Sequence, residues 1–207
     1  MSPPAPAARG WNLATLHKVP LDPLRQALMD AAKATCGGAP HWRARKLAEA
    51  YDLAALSQVN DRVSILRLDL TADFRAQILL RAPVPCLADP QGPLHVAANA
   101  HLNIIYREPA ILFAQPGYSF VQILAPRHVW LANASHDIHQ VLCLGVSIPA
   151  GTPVRELIYL TYGALTLQTA QFDPGNFAGV MNLAAAQWWQ ANVSRIPLSS
   201  EPFLIAK

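Results

Sequence analysis

The feature that most constrains this fold is a change in hydrophobic periodicity near Asp61. From there apolar and polar residues alternate over 66–70 and again over 74–81, on either side of the turn Thr71-Ala72-Asp73. A period of two sends successive side chains to opposite faces of a strand. The pattern therefore predicts an antiparallel hairpin with one buried face and one solvated face. The leucines expected on the buried face of its first strand are Leu66, Leu68 and Leu70.

Prolines and glycines divide the following part of the chain. A proline-rich loop is expected over 83–93, and further strands are expected over 94–98, 101–106 and 118–124. Pro109 and Pro116-Gly117 separate the last two of these segments, since both residue types interrupt regular structure. The chain therefore predicts an antiparallel meander of about four strands.

Helical spacing of apolar residues marks four further segments. Helices are expected over 21–35 and 40–57, and another begins where Thr152 caps a helix with Pro153 at its first position. The last helix is expected over 176–192. The buried stripe predicted for the third helix is Val154, Leu157, Ile158, Thr161 and Leu165. Helices flanking a meander give an α+β fold.

Composition limits the partners and the compartment. Charged residues make up only 14% of the 207-residue chain, against roughly 25% in typical soluble domains, so part of the surface is expected to meet another protein. A net charge of +3 from scattered basic residues argues against nucleic-acid binding. No segment reaches the roughly 18 apolar residues of a membrane span, and none resembles a signal peptide.

The first segment, 1–20, is a Pro/Ala-rich tail expected to be flexible.

Cysteine usage favours a reducing compartment and a catalytic interpretation. The three cysteines, Cys36, Cys86 and Cys143, are an odd number without C-x-x-C spacing, which argues against a disulfide framework or a zinc knuckle. No cofactor is expected. A cytoplasmic protein is expected. Cys143 ends a polar segment containing two histidines, and a cysteine in such surroundings can act as a nucleophile. A buried, inert cysteine is the alternative.

The order of elements from about residue 40 to 192 resembles the ubiquitin-conjugating enzyme fold, in which four antiparallel strands are followed by an active-site cysteine loop and two helices. Three local segments carry the resemblance: Tyr106-Arg107-Glu108-Pro109, Trp130-Leu131-Ala132-Asn133 and Val141-Leu142-Cys143-Leu144. They are similar to the family's aromatic and proline segment, its His-Pro-Asn segment and its Ile-Cys-Leu active site. Leu131 and Ala132 stand where the family has histidine and proline.

Two more features are similar to bacterial members of the family, which are encoded beside a ubiquitin-like protein, an activating enzyme and a metallopeptidase and are associated with antiphage defence. These features are Cys143-Leu144-Gly145 followed by a Gly-Thr-Pro helix start, and Trp188-Trp189 followed by Arg195-Ile196-Pro197-Leu198. The resemblance implies an extra N-terminal helix over 21–39 and a ubiquitin-conjugating-like domain over 40–207.

The resemblance also implies a function and a set of site residues. Cys143 would receive a ubiquitin-like protein as a thioester from an activating enzyme and pass it to an amine of a protein substrate. Asn133, ten positions before the cysteine, would stabilise the oxyanion, and Asp173 matches the position of an acidic gate residue. The basic residues Arg43, Arg45 and Lys46 would meet the activating enzyme, with a solvated helix face as the alternative.

Residues between Asn133 and Cys143 supply further candidates. His136 or His139 can raise the thiolate fraction or relay a proton from the amine, and Asp137 can hold a cationic lysine near the thioester. Solvated loop side chains are the simpler interpretation of all three.

Three alternative functions are also compatible with the sequence. A Cys-His hydrolase would combine Cys143 with His128, His136 or His139. A zinc site would use those four side chains together, although their spacing matches no structural knuckle. A noncatalytic adaptor of the same fold would only bind a ubiquitin-like partner.

Overall fold

A computed structural model describes residues 13–89, 92–137, 139–169, 172 and 179–204. The helices are α1 Pro23–Thr35, α2 Pro40–Val59, α3 Pro109–Leu112, α4 Val154–Leu165 and α5 Leu183–Ala191. The strands are β1 Val63–Asp69, β2 Phe74–Leu87, β3 Leu94–Tyr106, β4 Val121–Ala125 and β5 Val141–Leu142. Residues 1–12 of the tail, residues 176–178 of the predicted last helix and Asp173 lie outside the described residues. The expectation of a flexible tail is wrong for its last part, where Leu13–Lys18 forms a 3-10 helix and Leu16 is buried in the core. The last helix is also shorter than predicted, because residues 179–182 are not helical and α5 begins at Leu183 after the cap Asn182.

The α+β class is confirmed. The five strands form one antiparallel sheet in the order β1-β2-β3-β4-β5, one strand more than the predicted meander. The additional strand is the short β5, which directly precedes Cys143. One core holds the inner sheet face together with α2 and α4, whose predicted stripe is buried at every position. No described helix is long and apolar enough to cross a membrane.

The first hairpin forms as predicted, with Phe74, Ala76, Ile78 and Leu80 all buried on β2. The prediction is wrong at Leu66, which is 54% exposed. The register with β2 shifts between Ile65 and Arg67, and a β-bulge of this kind turns the following residues to the other face. The alternation in the sequence therefore holds only after the bulge.

The proline-rich loop predicted over 83–93 is also wrong in its first half. Strand β2 continues to Leu87 and pairs with β3, which is one continuous strand rather than two. A register shift between Arg81 and Val84 accommodates Pro83, because a bulge leaves a residue outside the ladder and so tolerates a missing N–H. Similarly, the strand predicted over 118–124 begins only at Val121, after a 3-10 turn at Gly117–Ser119.

The N-terminus of α4 is capped by a distant residue instead of by Thr152. The Thr152 hydroxyl donates to the Pro149 carbonyl, whereas the Val154 N–H donates to Glu49 Oε2 at 2.7 Å. Glu49 lies on α2, is 4% exposed and forms an ion pair with Arg45. A carboxylate at a helix N-terminus satisfies an unpaired N–H and interacts well with the helix dipole. Glu49 therefore fixes α4 against α2.

Glu49 gives a testable pH dependence. Burial raises the pKa of its carboxyl above the ordinary 4.5, with Arg45 and the Val154 N–H acting in the opposite direction. The folded state then binds a proton more tightly than the unfolded state. Lowering the pH from neutral through the raised pKa to about 4.5 adds a stabilising contribution that a neutral amide does not supply. We expect the unfolding free energy of the wild type, relative to Glu49→Gln, to increase over that range.

Urea unfolding at a series of pH values measures this difference. Glutamine keeps an oxygen that accepts from the Val154 N–H, so the comparison isolates the ionisation. An unchanging difference between the two proteins across the range would contradict the assignment of Glu49 as a carboxyl with a raised pKa.

Candidate active site

A short hairpin brings Asn133 and Cys143 together. Ala134 pairs with Leu142 across an isolated antiparallel bridge, and the Ser135 N–H donates to the Val141 carbonyl at 2.9 Å. The Cys143 N–H donates to the Asn133 carbonyl at 2.8 Å. The ten-residue separation between the two residues is thus closed by strand pairing, with the histidine segment forming the tip of the hairpin.

The side chain of Asn133 adds a second link to the cysteine. Its Nδ2 donates to the backbone carbonyl of Cys143 at 2.9 Å. Its Oδ1 is buried and has no hydrogen-bond partner among the described residues. An amide nitrogen carries two protons, so one proton of Nδ2 holds the cysteine and the other is available to a further acceptor.

Cys143 lines a small cavity of about 170 Å³. Its thiol donates to the Gly145 carbonyl at 3.2 Å, and the residue is 6% exposed. Helix α4 forms one wall through Leu160 and Ala164. The described residues that line it are Asn133, Cys143, Leu144, Gly145, Leu160, Ala164, Thr169 and Gly179. Among these residues the cysteine has an amide neighbour and no histidine.

The chain after Cys143 pairs closely with the turn before β4. The Gly117 N–H donates to the Gly145 carbonyl at 3.1 Å, and the Leu144 N–H donates to the Gly117 carbonyl at 3.2 Å. A Cβ atom at position 117 would lie 2.1 Å from the Gly145 oxygen, so only glycine allows this approach. Exposed apolar side chains flank the paired segments: Leu112, Phe113, Tyr118 and Val146.

The predicted helpers at the hairpin tip lie apart from the cysteine. His136, Asp137 and His139 are exposed and line a different cavity, so the structure does not bring them to Cys143. A hydrogen bond from the Ser135 hydroxyl lowers the pKa of Asp137, with further help from the N–H groups of His139 and Gln140. Asp137 therefore stabilises the turn. Its carboxylate has no observed contact with the thiol.

The zinc and hydrolase alternatives lose their geometric basis. Among the described residues, no group of three or more His, Cys, Asp or Glu side chains is arranged to hold a metal ion. A cysteine–histidine contact does occur elsewhere, because Cys86 Sγ lies 3.1 Å from His95 Nε2. Cys86 is completely buried, however, and burial raises the pKa of its thiol. That thiol is poorly suited to nucleophilic attack.

The three basic residues of α2 do not form one exposed face. Arg43 is exposed, but Lys46 is completely buried and its ammonium group donates to the carbonyls of Leu70 and Ala72. Arg45 is partly buried and donates to the Gly151 carbonyl at 2.9 Å. The expectation that Lys46 meets a partner is therefore wrong, since buried charges need internal partners and Lys46 has them.

Other residues of the site were not anticipated from the sequence. Glu49 caps α4 from a distance, and no local motif indicates such a contact. Leu160 and Thr169 line the cysteine cavity but look like ordinary helix and loop residues in the sequence.

Comparison with family models, curated proteins and solved structures finds no match to this chain.

Proposed function

We propose that this chain carries a ubiquitin-like protein as a thioester on Cys143 and transfers it to an amine of a target protein. The observation that carries the proposal is the contact between the Asn133 amide and the backbone of Cys143 inside a shared cavity. The motifs that resemble bacterial ubiquitin-conjugating enzymes supply the identity of the acyl group and the setting of antiphage defence.

Loading is an exchange between two thiols. Cys143 Sγ attacks the carbonyl carbon of the thioester on the activating enzyme, a new S–C bond forms, and the enzyme's sulfur leaves. The proton lost from Cys143 is taken up by the departing thiolate, so the exchange needs no cofactor. To react, the buried thiol must first give up its hydrogen bond to the Gly145 carbonyl.

Transfer passes through a tetrahedral oxyanion. The amine attacks the thioester carbon, the C–N bond forms, the C–S bond breaks, and the proton from the amine passes to solvent. Asn133 Nδ2 keeps one proton for the Cys143 carbonyl and offers the other to the oxyanion. One well-placed donor of this kind lowers such a barrier by about 3 to 4 kcal/mol.

The surroundings of Cys143 suit a protein acyl donor. Leu112, Phe113, Tyr118 and Val146 are each more than half exposed beside the cysteine loop. Exposed apolar side chains are a common feature of protein-binding surfaces. On this proposal they offer apolar contacts to the activating enzyme or to the ubiquitin-like protein.

The burial of Cys143 at 6% exposure favours one second candidate, a noncatalytic adaptor that binds a ubiquitin-like protein without accepting it. An adaptor needs the apolar surface and the fold but not the thiol. The two functions differ in one outcome, the formation of a covalent adduct.

The test uses the wild-type chain with a ubiquitin-like protein, its activating enzyme and ATP. We expect a covalent adduct that dithiothreitol removes, with peptide mapping by mass spectrometry placing it on Cys143. Noncovalent binding without an adduct would support the adaptor. An adduct on Cys36 or Cys86, or neither binding nor adduct, would contradict both.

A further inference from the structure

A second cavity, of about 220 Å³, lies at the tip of the hairpin that holds Cys143 at its base. The proposed thioester chemistry does not use it. Its charged and titratable lining residues are Arg127, His128, His136, Asp137 and His139. Four basic side chains and one acidic side chain therefore face the same space.

Gln140 fixes the two halves of this cavity to each other. Its side chain is buried, with 6% of the residue exposed, and Oε1 accepts from the Val129 N–H at 2.9 Å. Its Nε2 donates to the carbonyls of Ile123 and Pro126 at 3.1 and 2.8 Å. The segment carrying Arg127 and His128 is thereby attached to the hairpin carrying His136 and His139. The hydrogen bonds of Gln140 therefore fix the backbone segments that carry the basic groups relative to each other.

Most side-chain N–H groups that line this cavity have no hydrogen-bond partner among the described residues. The side chains of Arg127, His128 and His136 make no hydrogen bond or ion pair with other described residues, although the His136 ring packs edge-on against Trp130. The single acid is engaged, because the Asp137 carboxylate accepts from the Ser135 hydroxyl and from two backbone N–H groups. The cavity thus has more basic side chains than acidic ones, and the single carboxylate cannot neutralise all of them.

We propose that this cavity binds a tetrahedral oxyanion of the phosphoryl type. A guanidinium fork and imidazolium N–H groups are donors that bind the several oxygens of such a group from different directions. With neutral histidines, Arg127 and Asp137 balance to zero charge. Protonation of His128, His136 and His139 brings the lining to +3, which matches a dianion better than a single carboxylate.

The charge balance also sets the pH dependence. A protonated imidazole carries a positive charge and donates from both ring nitrogens, so binding of the anion strengthens when the histidines are protonated. Sulfate is the probe of choice, because it stays a dianion throughout and any pH effect reports on the protein. The inference stands independently of the thioester chemistry, since Cys143 lines the other cavity.

Isothermal titration of the full chain with sulfate tests the inference. We expect binding at about pH 5.5 and an affinity at least about tenfold weaker at about pH 8. Arg127→Gln should weaken binding at the lower pH by about tenfold, whereas Arg43→Gln, a matched exposed arginine on α2, should leave it unchanged. The double variant His128→Gln/His136→Gln should lose most of the pH dependence.

Several results would overturn the inference. They are no sulfate binding at the lower pH, equal effects of the two arginine variants, an unaltered pH dependence in the double histidine variant, and acetate binding as tightly as sulfate. Circular dichroism of each variant confirms that it is folded. Phosphate and a phosphate monoester, titrated in parallel, then distinguish a free ion from an esterified group as the natural ligand.

Discussion

Cys143→Ala abolishes the reducible adduct with a ubiquitin-like protein if the proposed function is right. Alanine removes the only group that forms the thioester, and the structural cost is small because the thiol makes a single hydrogen bond, to the Gly145 carbonyl. Gel electrophoresis with and without dithiothreitol measures the adduct. Cys36→Ala and Cys86→Ala are matched controls that should retain it, since both cysteines lie outside the cavity.

Cys143→Ser provides a sharper version of the same prediction. Serine has nearly the shape of cysteine, and an oxyester formed on it resists dithiothreitol while remaining sensitive to alkali. We expect a slower, thiol-resistant adduct. An adduct that persists in the alanine variant would show that another residue carries the acyl group.

Asn133→Ala should slow discharge of the loaded protein to an amine by about a hundredfold to a thousandfold, the effect of removing one oxyanion donor. Loading should fall much less. Single-turnover assays separate the two steps: the thioester is first formed and isolated, and its disappearance with a free amine is then followed.

A purely structural role for Asn133 predicts a different result. Its side chain also binds the Cys143 carbonyl, so loss of that contact alone would slow loading and discharge by similar factors. Asn133→Asp preserves the shape but removes both donor protons and places a carboxylate oxygen beside the Cys143 carbonyl, so it also breaks the structural contact. The comparison of loading with discharge within each variant is what separates the two roles. We expect both variants to share the discharge defect, and urea unfolding of each shows how much of the defect follows from lost stability.

The period of hydrophobic residues predicts much of this fold. It identifies the first hairpin, the buried stripe of α4 and the α+β class, because burial of one face is a local pattern repeated along the chain. It fails at Leu66 and at Pro83, where β-bulges change the register. A bulge depends on pairing with another strand, and the periodicity of one segment does not record it.

The candidate site likewise contains residues that the sequence indicates and residues whose positions depend on the three-dimensional fold. The pairing of Asn133 with Cys143 follows from the hairpin between them, and the motif resemblance already suggested both residues. The positions of His136 and His139 were not predictable, because a spacing of a few residues from a cysteine says nothing about the turn between them. Lys46 and Glu49 show the same limit. Their roles depend on carbonyl and amide groups far away in the sequence.

The close approach of Gly117 to Gly145 couples the position of Cys143 to the connection between β3 and β4. Four backbone hydrogen bonds join this connection to the segment after Cys143, two at Gly117 and two between Gln115 and Ile148, and there is no room for a side chain at Gly117. Any change in length between α3 and β4 must therefore displace Leu144 and the adjacent cysteine loop. A partner bound to Leu112 or Phe113 is therefore expected to shift the position of Cys143, and so to change the rate of the proposed transfer without any change in the residues of the cavity.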